Sequence, residues 1–275
     1  MKIIVILFFS MLLALPTYGQ NRETDYLSHV LEKMNAVESV TYHCVKKAWE
    51  PGDKEPVYSV PTEIYEHVNP QDTAVGYSFL CASDKEFRQP LWVYDGTVFA
   101  YIEKEEKEVR IDDFTQKSPL PFRVIMPQAF GCMKSILEYV LNTQDSIVLS
   151  LKDEGKDYLM ELSIHTPYQV EFFGKACYMP QNPYIYDPTS IYKIWISKEN
   201  DMPYRYRREM QHSISEGICS DFVYNPYGKG KIVAEDYYPA DYVRRIKGEK
   251  SQKATVDMTG KKAPDWTLTD MKGQQ

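Results

Sequence analysis

The sequence lacks every pattern that usually marks a catalytic or metal-binding centre. Its five cysteines include no Cys-x-x-Cys pair, which excludes a dithiol redox centre and a zinc knuckle within this chain. The five histidines form no His-x-x-x-His pair, and no Gly-x-Ser-x-Gly, P-loop or Gly-x-Gly-x-x-Gly motif is present. We therefore predict a protein that is not an enzyme and that binds no metal and no cofactor.

The chain also lacks a surplus of basic charge and, in its body, a long apolar segment. Thirty-two Lys and Arg face 39 Asp and Glu, for a formal net charge of −7, which argues against a nucleic-acid partner. No stretch after residue 20 is apolar enough to span a bilayer, which takes roughly 20 residues. The composition, 43% hydrophobic and 26% charged, is that of a globular protein with one large domain or two small ones.

The first nineteen residues are typical of a cleavable secretory signal. Lys2 supplies the positive charge, residues 3–15 form an almost unbroken apolar run, and small residues at Thr17 and Gly19 precede Gln20. This layout predicts export to the periplasm of a Gram-negative envelope, with cleavage after Gly19. The alternative is an uncleaved anchor helix, which the shortness of the apolar run disfavours.

Export would place the cysteines in an oxidising compartment. Because five is an odd number, at least one thiol stays unpaired, and we expect one or two structural disulfides plus a buried thiol. The pairing is left open among Cys44, Cys81, Cys132, Cys177 and Cys219.

Hydrophobic spacing predicts two amphipathic helices separated by strands. The first covers residues 24–37, with Thr24 as its N-cap, and the second covers 127–141, with Pro127 in its first turn. The apolar stripes consist of Leu27, Val30, Leu31, Met34 and Val37 on the first helix and of Phe130, Met133, Leu137, Val140 and Leu141 on the second.

Alternation of apolar and polar residues predicts antiparallel strands with one buried face. Asp95-Gly96 indicates a tight hairpin, and residues 103–108 and 153–156 indicate polar turns. The predicted strands cover 40–44, 64–68, 74–81, 91–94, 98–102, 109–111, 147–151, 158–164, 192–196, 204–210, 219–224 and 231–237, with a hairpin turn at 228–231.

The order of helix, strands, helix and strands predicts an α+β protein, because two helices are too few for a doubly wound fold. A strongly curved antiparallel sheet, or half-barrel, with both helices on its concave side would bury all the stripes. Residues 241–259, rich in Lys, Gly, Ser and Gln, are predicted to form a linker.

Several short segments of the mature chain carry a resemblance to a known family. They are Leu31-Glu32-Lys33-Met34, Val40-Thr41-Tyr42, Trp92-Val93-Tyr94-Asp95-Gly96 and a strand–turn–strand unit from Tyr192 to Arg205 that contains Asp201-Met202-Pro203. Over residues 24–238 the sequence resembles the periplasmic lipoprotein carriers, the LolA/LolB-like half-barrels. The resemblance implies one such domain over residues 20–240 and a cavity that takes a lipid or lipoprotein acyl chain, or a partner chain.

We expect that cavity between the sheet and the helices; the competing possibility is a solid core. The candidate lining residues are Leu27, Leu31, Met34, Phe130, Met133, Leu137, Leu149, Leu151, Met160 and Leu162.

Residues 260–273, Gly-Lys-Lys-Ala-Pro-Asp-Trp-Thr-Leu-Thr-Asp-Met-Lys-Gly, carry a second resemblance. They are similar to the opening strand of a redoxin domain, in the TlpA-like and peroxiredoxin-like (AhpC/TSA-like) branch of the thioredoxin fold. The resemblance implies that residues 260–275 begin a truncated thioredoxin-like domain whose catalytic half is missing, and it implies a redox partner protein. An alternative function is therefore thiol–disulfide oxidoreductase by ancestry.

The Tyr- and Pro-rich stretch 178–192 supports a third function, a glycan-binding module in which the tyrosines stack on sugars. A loop packed against the barrel is the structural alternative.

Overall fold

The computed structural model describes residues 16–116, 123–125 and 128–249. Residues 1–15 of the predicted signal and the redoxin-like segment 260–275 lie outside the described residues. Two α-helices are present in the described ranges, α1 (Pro16–Asn35) and α2 (Ala129–Asn142), together with a short 3-10 helix (Ala234–Tyr237).

Fourteen strands lie in the described residues. They are β1 (Ser39–Trp49), β2 (Tyr58–Val68), β3 (Tyr77–Ala82), β4 (Pro90–Tyr94), β5 (Val98–Glu103), β6 (Glu108–Asp113), β7 (Ile147–Asp153), β8 (Asp157–Ile164), β9 (Val170–Phe172), β10 (Ala176–Tyr178), β11 (Ser190–Ser197), β12 (Met202–Met210), β13 (Ser213–Tyr224) and β14 (Val243–Ile246).

Twelve of these strands form one large, strongly curved sheet, and β9 and β10 form a small second one. The order in the large sheet is β14-β6-β5-β4-β3-β2-β1-β13-β12-β11-β8-β7, so the sheet is not closed and β14 and β7 are its edges. Neighbours are antiparallel, apart from β14, which runs parallel to β6. The protein is therefore α+β, as predicted.

The two halves of the sheet come from distant parts of the chain, and β1 and β13 join them. Their pairing runs from Val40 opposite Tyr224 to Trp49 opposite Ile214. These paired residues are far apart in sequence, so the fold has a non-local topology.

One face of the sheet, the helix-covered face, packs with both helices into the main core. The stripe residues Leu27, Val30 and Met34 of α1 are fully buried, as are Phe130, Met133 and Leu137 of α2. The sheet contributes alternating positions, among them Tyr42, Phe79, Met160, Leu162, Tyr192 and Ile194. The predicted helical stripes are confirmed, because a residue every three or four positions faces the same side of a helix.

On the opposite face, the strands of the N-terminal half carry a second core. Tyr65, Leu80, Val93 and Ala100 pack there against Ile232 and Ala234. The strand that we predicted over 231–237 is wrong, and so is the hairpin turn at 228–231. Ile232 and Ala234 are two positions apart, as residues on one face of a strand are, which is why the pattern predicted a strand. In the structure this segment pairs with no strand of the described residues; Ile232 and Ala234, the latter in the 3-10 helix, pack on the sheet.

The opposite face of the C-terminal half carries paired charges instead of a core. A row of ion pairs crosses the strands, from Lys152–Glu161 to Lys193–Glu209 and Arg207–Glu209. Trp49 and Trp195 lie on this face beneath Arg207 and Arg205.

Several predicted boundaries differ from the structure: β1, β2 and β13 are all longer than predicted. Two further differences change an assignment. Helix α1 begins at Pro16, so Thr24 is not its N-cap and its carbonyl instead accepts a hydrogen bond from Ser28 within the helix. The predicted linker began at residue 241, yet Val243–Ile246 form edge strand β14. Polar composition suggested a linker, but an exposed edge strand needs few apolar residues, because backbone hydrogen bonds hold it.

Candidate functional site

The ten residues predicted to line a cavity come together in the main core. Seven of them have no exposed surface: Leu27, Met34, Phe130, Met133, Leu137, Met160 and Leu162. Leu31, Leu149 and Leu151 are half-buried at its margin. None of the ten lines the two pockets described next, and all of them contact other side chains of the core.

A groove lies at the β14 edge of the sheet and has a volume of about 610 Å³. This edge groove falls in the range of about 300–1,000 Å³ that is usual for small-molecule sites. Its lining residues are Phe99, Tyr101 and Glu103 of β5, Glu108, Arg110, Ile111 and Asp112 of β6, and Arg245, Ile246 and Lys247 of the β14 segment.

The floor of the edge groove is aromatic and continues the helix-covered face. Tyr101 lies opposite Trp92 in the sheet register, and their rings stack with centroids 6.0 Å apart and an interplanar angle of 4°. The ammonium group of Lys46 lies 4.8 Å from the Trp92 ring centroid. Phe99 packs against the main core, whereas Tyr101 is 42% exposed. An apolar surface therefore runs from the core to solvent.

The rim of the edge groove carries charges that pair with one another. Arg110 and Arg245 are directly opposite in the register of β6 and β14, and Glu108 bonds to both guanidinium groups. Arg110 forms a second ion pair with Glu103, with a nitrogen–oxygen distance of 3.3 Å. Without Glu108, two like charges on facing positions would destabilise the pairing.

A buried polar cluster lies where α2 begins. Glu66 of β2 is completely buried, and its carboxylate accepts hydrogen bonds from the Tyr42 hydroxyl and from the N–H groups of Phe130 and Gly131, both at 3.0 Å. Since the N-cap residue Gln128 makes no side-chain capping bond, Glu66 caps this helix from the sheet. Burial outweighs these bonds and raises the pKa of Glu66 to about 7.

Sequence reasoning did not single out Glu66, although a signal was present. Ile64 and Val68 occupy the flanking positions of the same strand face, so the alternation places Glu66 toward the core. A carboxylate at such a position needs buried donors, and a helix N-terminus supplies them.

All five cysteines are buried free thiols in the structure, which differs from our expectation of one or two disulfides. Cys44 and Cys219 lie beside the Glu66 cluster, and the thiol of Cys81 donates to the Gln128 side chain at 3.1 Å. Burial raises the pKa of Cys81 to about 12, which leaves it a poor nucleophile near neutral pH.

The Tyr- and Pro-rich segment forms a loop between β10 and β11. Tyr184 and Tyr186 are 81% and 86% exposed. These two rings are therefore not packed against the sheet, as a loop packed against the barrel would require. The loop lines a pocket of about 440 Å³ together with Tyr168 and Gln169, and no lining residue is charged.

Two further findings concern the described ranges only. They hold no group of three or more His, Cys, Asp or Glu side chains that could bind a metal ion. Among the helices of those same ranges, none is both long and apolar enough to cross a membrane.

Among known proteins, only solved structures resemble this chain. No protein-family model matches the chain, and no curated protein matches it. A DUF1329 family protein from Desulfovibrio piger is 12% identical, with 81% of this chain and 98% of that chain covered and a TM-score of 0.37. The lipoprotein LppX from Mycobacterium tuberculosis is 9% identical, with 76% and 97% covered and a TM-score of 0.38. The LolA superfamily protein NE2245 from Nitrosomonas europaea is 10% identical, with 78% and 98% covered and a TM-score of 0.27. Likenesses at this level assign neither a family nor a ligand to this chain.

Proposed function

We propose that this protein is a non-enzymatic envelope protein that binds the apolar chain of an amphipathic ligand, such as a lipid or lipoprotein acyl chain, in the edge groove. The supporting observation is the groove itself, where Phe99 and Tyr101 expose aromatic surface on the floor and paired charges stay at the rim. Small-molecule sites usually combine an apolar lining with polar groups that orient the ligand, and here six of the ten lining residues are charged. The apolar chain of the ligand would lie on the floor of the groove, while the ligand's polar end stays at the rim, in water.

Four of the ten candidate residues lie on the same sheet face under the helices: Leu149, Leu151, Met160 and Leu162. The other six lie on α1 and α2 and pack in the same core. We propose that all ten line a continuation of the site that opens when α1 or α2 separates from the sheet. In the structure they are packed, so only an acyl chain that displaces a helix would reach them.

The expected affinity is modest. Ten methylenes leaving water gain about 8 kcal/mol at ~0.8 kcal/mol each, before the costs of association. The dissociation constant is therefore expected to be no tighter than about 1 μM.

Tryptophan fluorescence provides the test, with a fatty acid brominated along its chain as a quencher. Trp92 stacks on Tyr101 at the floor, whereas Trp49 and Trp195 lie on the opposite face. In a Trp266→Phe background we expect saturable quenching that Tyr101→Glu abolishes. The matched control is Tyr184→Glu, because it introduces the same change at an exposed tyrosine away from the groove.

The outcomes separate the possible sites. Removal of Trp92 by Trp92→Phe should eliminate most of the quenching while leaving binding measurable by calorimetry. Saturable binding that survives Tyr101→Glu but is lost in Leu149→Glu would place the ligand under the helices. Absence of saturable binding by the folded wild-type protein would exclude the carrier proposal.

We also propose that the protein is exported and cleaved after Gly19, on the basis of the charged start, the short apolar run and the small residues before Gln20. The N-terminal mass of the protein from the envelope fraction tests this. Intact Met1 in the mature protein would contradict it.

A further inference from the structure

A pair of cysteines faces each other where the two halves of the sheet join. Cys44 of β1 and Cys219 of β13 are directly opposite in the antiparallel register. Their exposed fractions are 0% and 4%, and the two thiols are close enough to influence each other's ionisation. The two side chains therefore point to the same side of the sheet and are in contact.

This arrangement has the geometry that a disulfide requires. Directly opposite residues of antiparallel strands have Cα atoms about 4.5–5.5 Å apart, and disulfides span about 4.4–6.8 Å. We infer that Cys44 and Cys219 form a cross-strand disulfide when the chain folds in the presence of a disulfide oxidant, the class of oxidant that exported proteins meet.

The topology excludes Cys81 as the partner. Cys81 is on β3, and β2 lies between β3 and β1. Two strand spacings of about 4.8 Å already separate its Cα from that of Cys44 by at least roughly 9–10 Å, beyond the limit of about 7 Å for a disulfide. Cys132 is on α2 and Cys177 is on β10 of the small sheet, so neither lies on a strand paired with β1 or β13.

The reaction is a thiol–disulfide exchange. The thiolate of one cysteine attacks the oxidant's disulfide and releases one oxidant thiol, which leaves a mixed disulfide. The thiolate of the second cysteine then attacks the first cysteine's sulfur in the mixed disulfide, which forms the Cys44–Cys219 bond and releases the second oxidant thiol. Two electrons and two protons pass from the cysteine pair to the oxidant. Because both thiols are buried in the folded protein, the exchange takes place while the chain is still folding.

The bond would fix the joint between the sheet halves. It links residues 175 positions apart, and cross-links that close long loops restrict the unfolded chain most strongly. We expect the oxidised protein to melt about 10 °C above the reduced protein. The inference does not depend on the proposed ligand.

Refolding provides the test without requiring export. The purified full chain is reduced, unfolded, refolded in a mixture of reduced and oxidised glutathione, alkylated, and mapped by mass spectrometry without reduction. We expect one linked peptide pair that contains Cys44 and Cys219, with the other three cysteines alkylated. The same protein refolded with excess reductant should melt about 10 °C lower.

Variants separate the bond from a change in packing. Cys219→Ser and Cys44→Ser should melt at the same temperature with and without oxidant, whereas Cys81→Ser should keep the wild-type difference. Five alkylated cysteines in the refolded wild-type protein, or a link that involves Cys81, would overturn the inference. The wild-type peptide map decides this even if a Cys44 variant fails to fold.

Discussion

The buried carboxyl group of Glu66 should make stability depend on pH. Burial raises its pKa from the ordinary value of 4.5 to about 7, against hydrogen bonds from Tyr42, Phe130 and Gly131 that favour the ionised form. The folded protein therefore holds a proton that the unfolded chain releases. The stability that this proton contributes is fully present below pH 4.5 and is lost as the pH rises through about 7.

The size of the effect follows from the shift. A difference of about 2.5 pH units at ~1.4 kcal/mol each is worth roughly 3 kcal/mol between pH 4.5 and pH 8. Glu66→Gln keeps the shape and stays neutral at every pH. Its carbonyl can accept from the two N–H groups of α2, and its amide can donate to the Tyr42 hydroxyl. We expect the variant to match wild type at pH 4.5 and to exceed it by about 3 kcal/mol at pH 8.

Urea unfolding at pH values from 4.5 to 8.5, followed by tryptophan fluorescence, measures the difference. Groups with lowered pKa values, such as Asp95 and Asp201, titrate alike in both proteins and cancel. Glu105→Gln, in an exposed turn, controls for the lost negative charge and should follow the wild-type curve. Parallel curves for wild type and Glu66→Gln, or a less stable variant at pH 8, would refute the reasoning.

Two other predictions concern the backbone. Gly174 has a φ of +81°, and an added Cβ would lie 2.3 Å from the Cα of Val75, so Gly174→Ala should cost about 3 kcal/mol in chemical unfolding. Gly228 has a φ of +78° with nothing within 4 Å, so Gly228→Ala should cost only about 1 kcal/mol; equal costs would contradict the clash. A chain that ends at residue 242 loses β14 and should melt about 3–6 °C lower in calorimetry, because the lost strand is short and mostly exposed. An unchanged melting temperature would mean that β14 adds no stability.

The sequence alone determined the elements whose signals are local. The hairpin at Asp95-Gly96 and the turn at 153–156 follow from the residues that such turns need, and both occur where predicted. The stripes of α1 and α2 follow from helical spacing, and the alternation of strands such as β8 and β11 correctly identified the buried side of the sheet. These signals identify the buried side of each element because the repeat of a helix or strand can be recognised within a few neighbouring residues.

Only the tertiary structure decided which distant segments meet. Nothing near Cys44 in sequence indicates that Cys219 faces it, because strand pairing is a choice among many alternating segments. Glu66 became a helix cap because α2 begins above it, and β14 joined an edge that polar composition did not reveal. The same holds for the edge groove, which lies between strands that are more than 100 residues apart in the sequence. Such sites depend on long-range packing, whose free energy does not appear in any local pattern of residues.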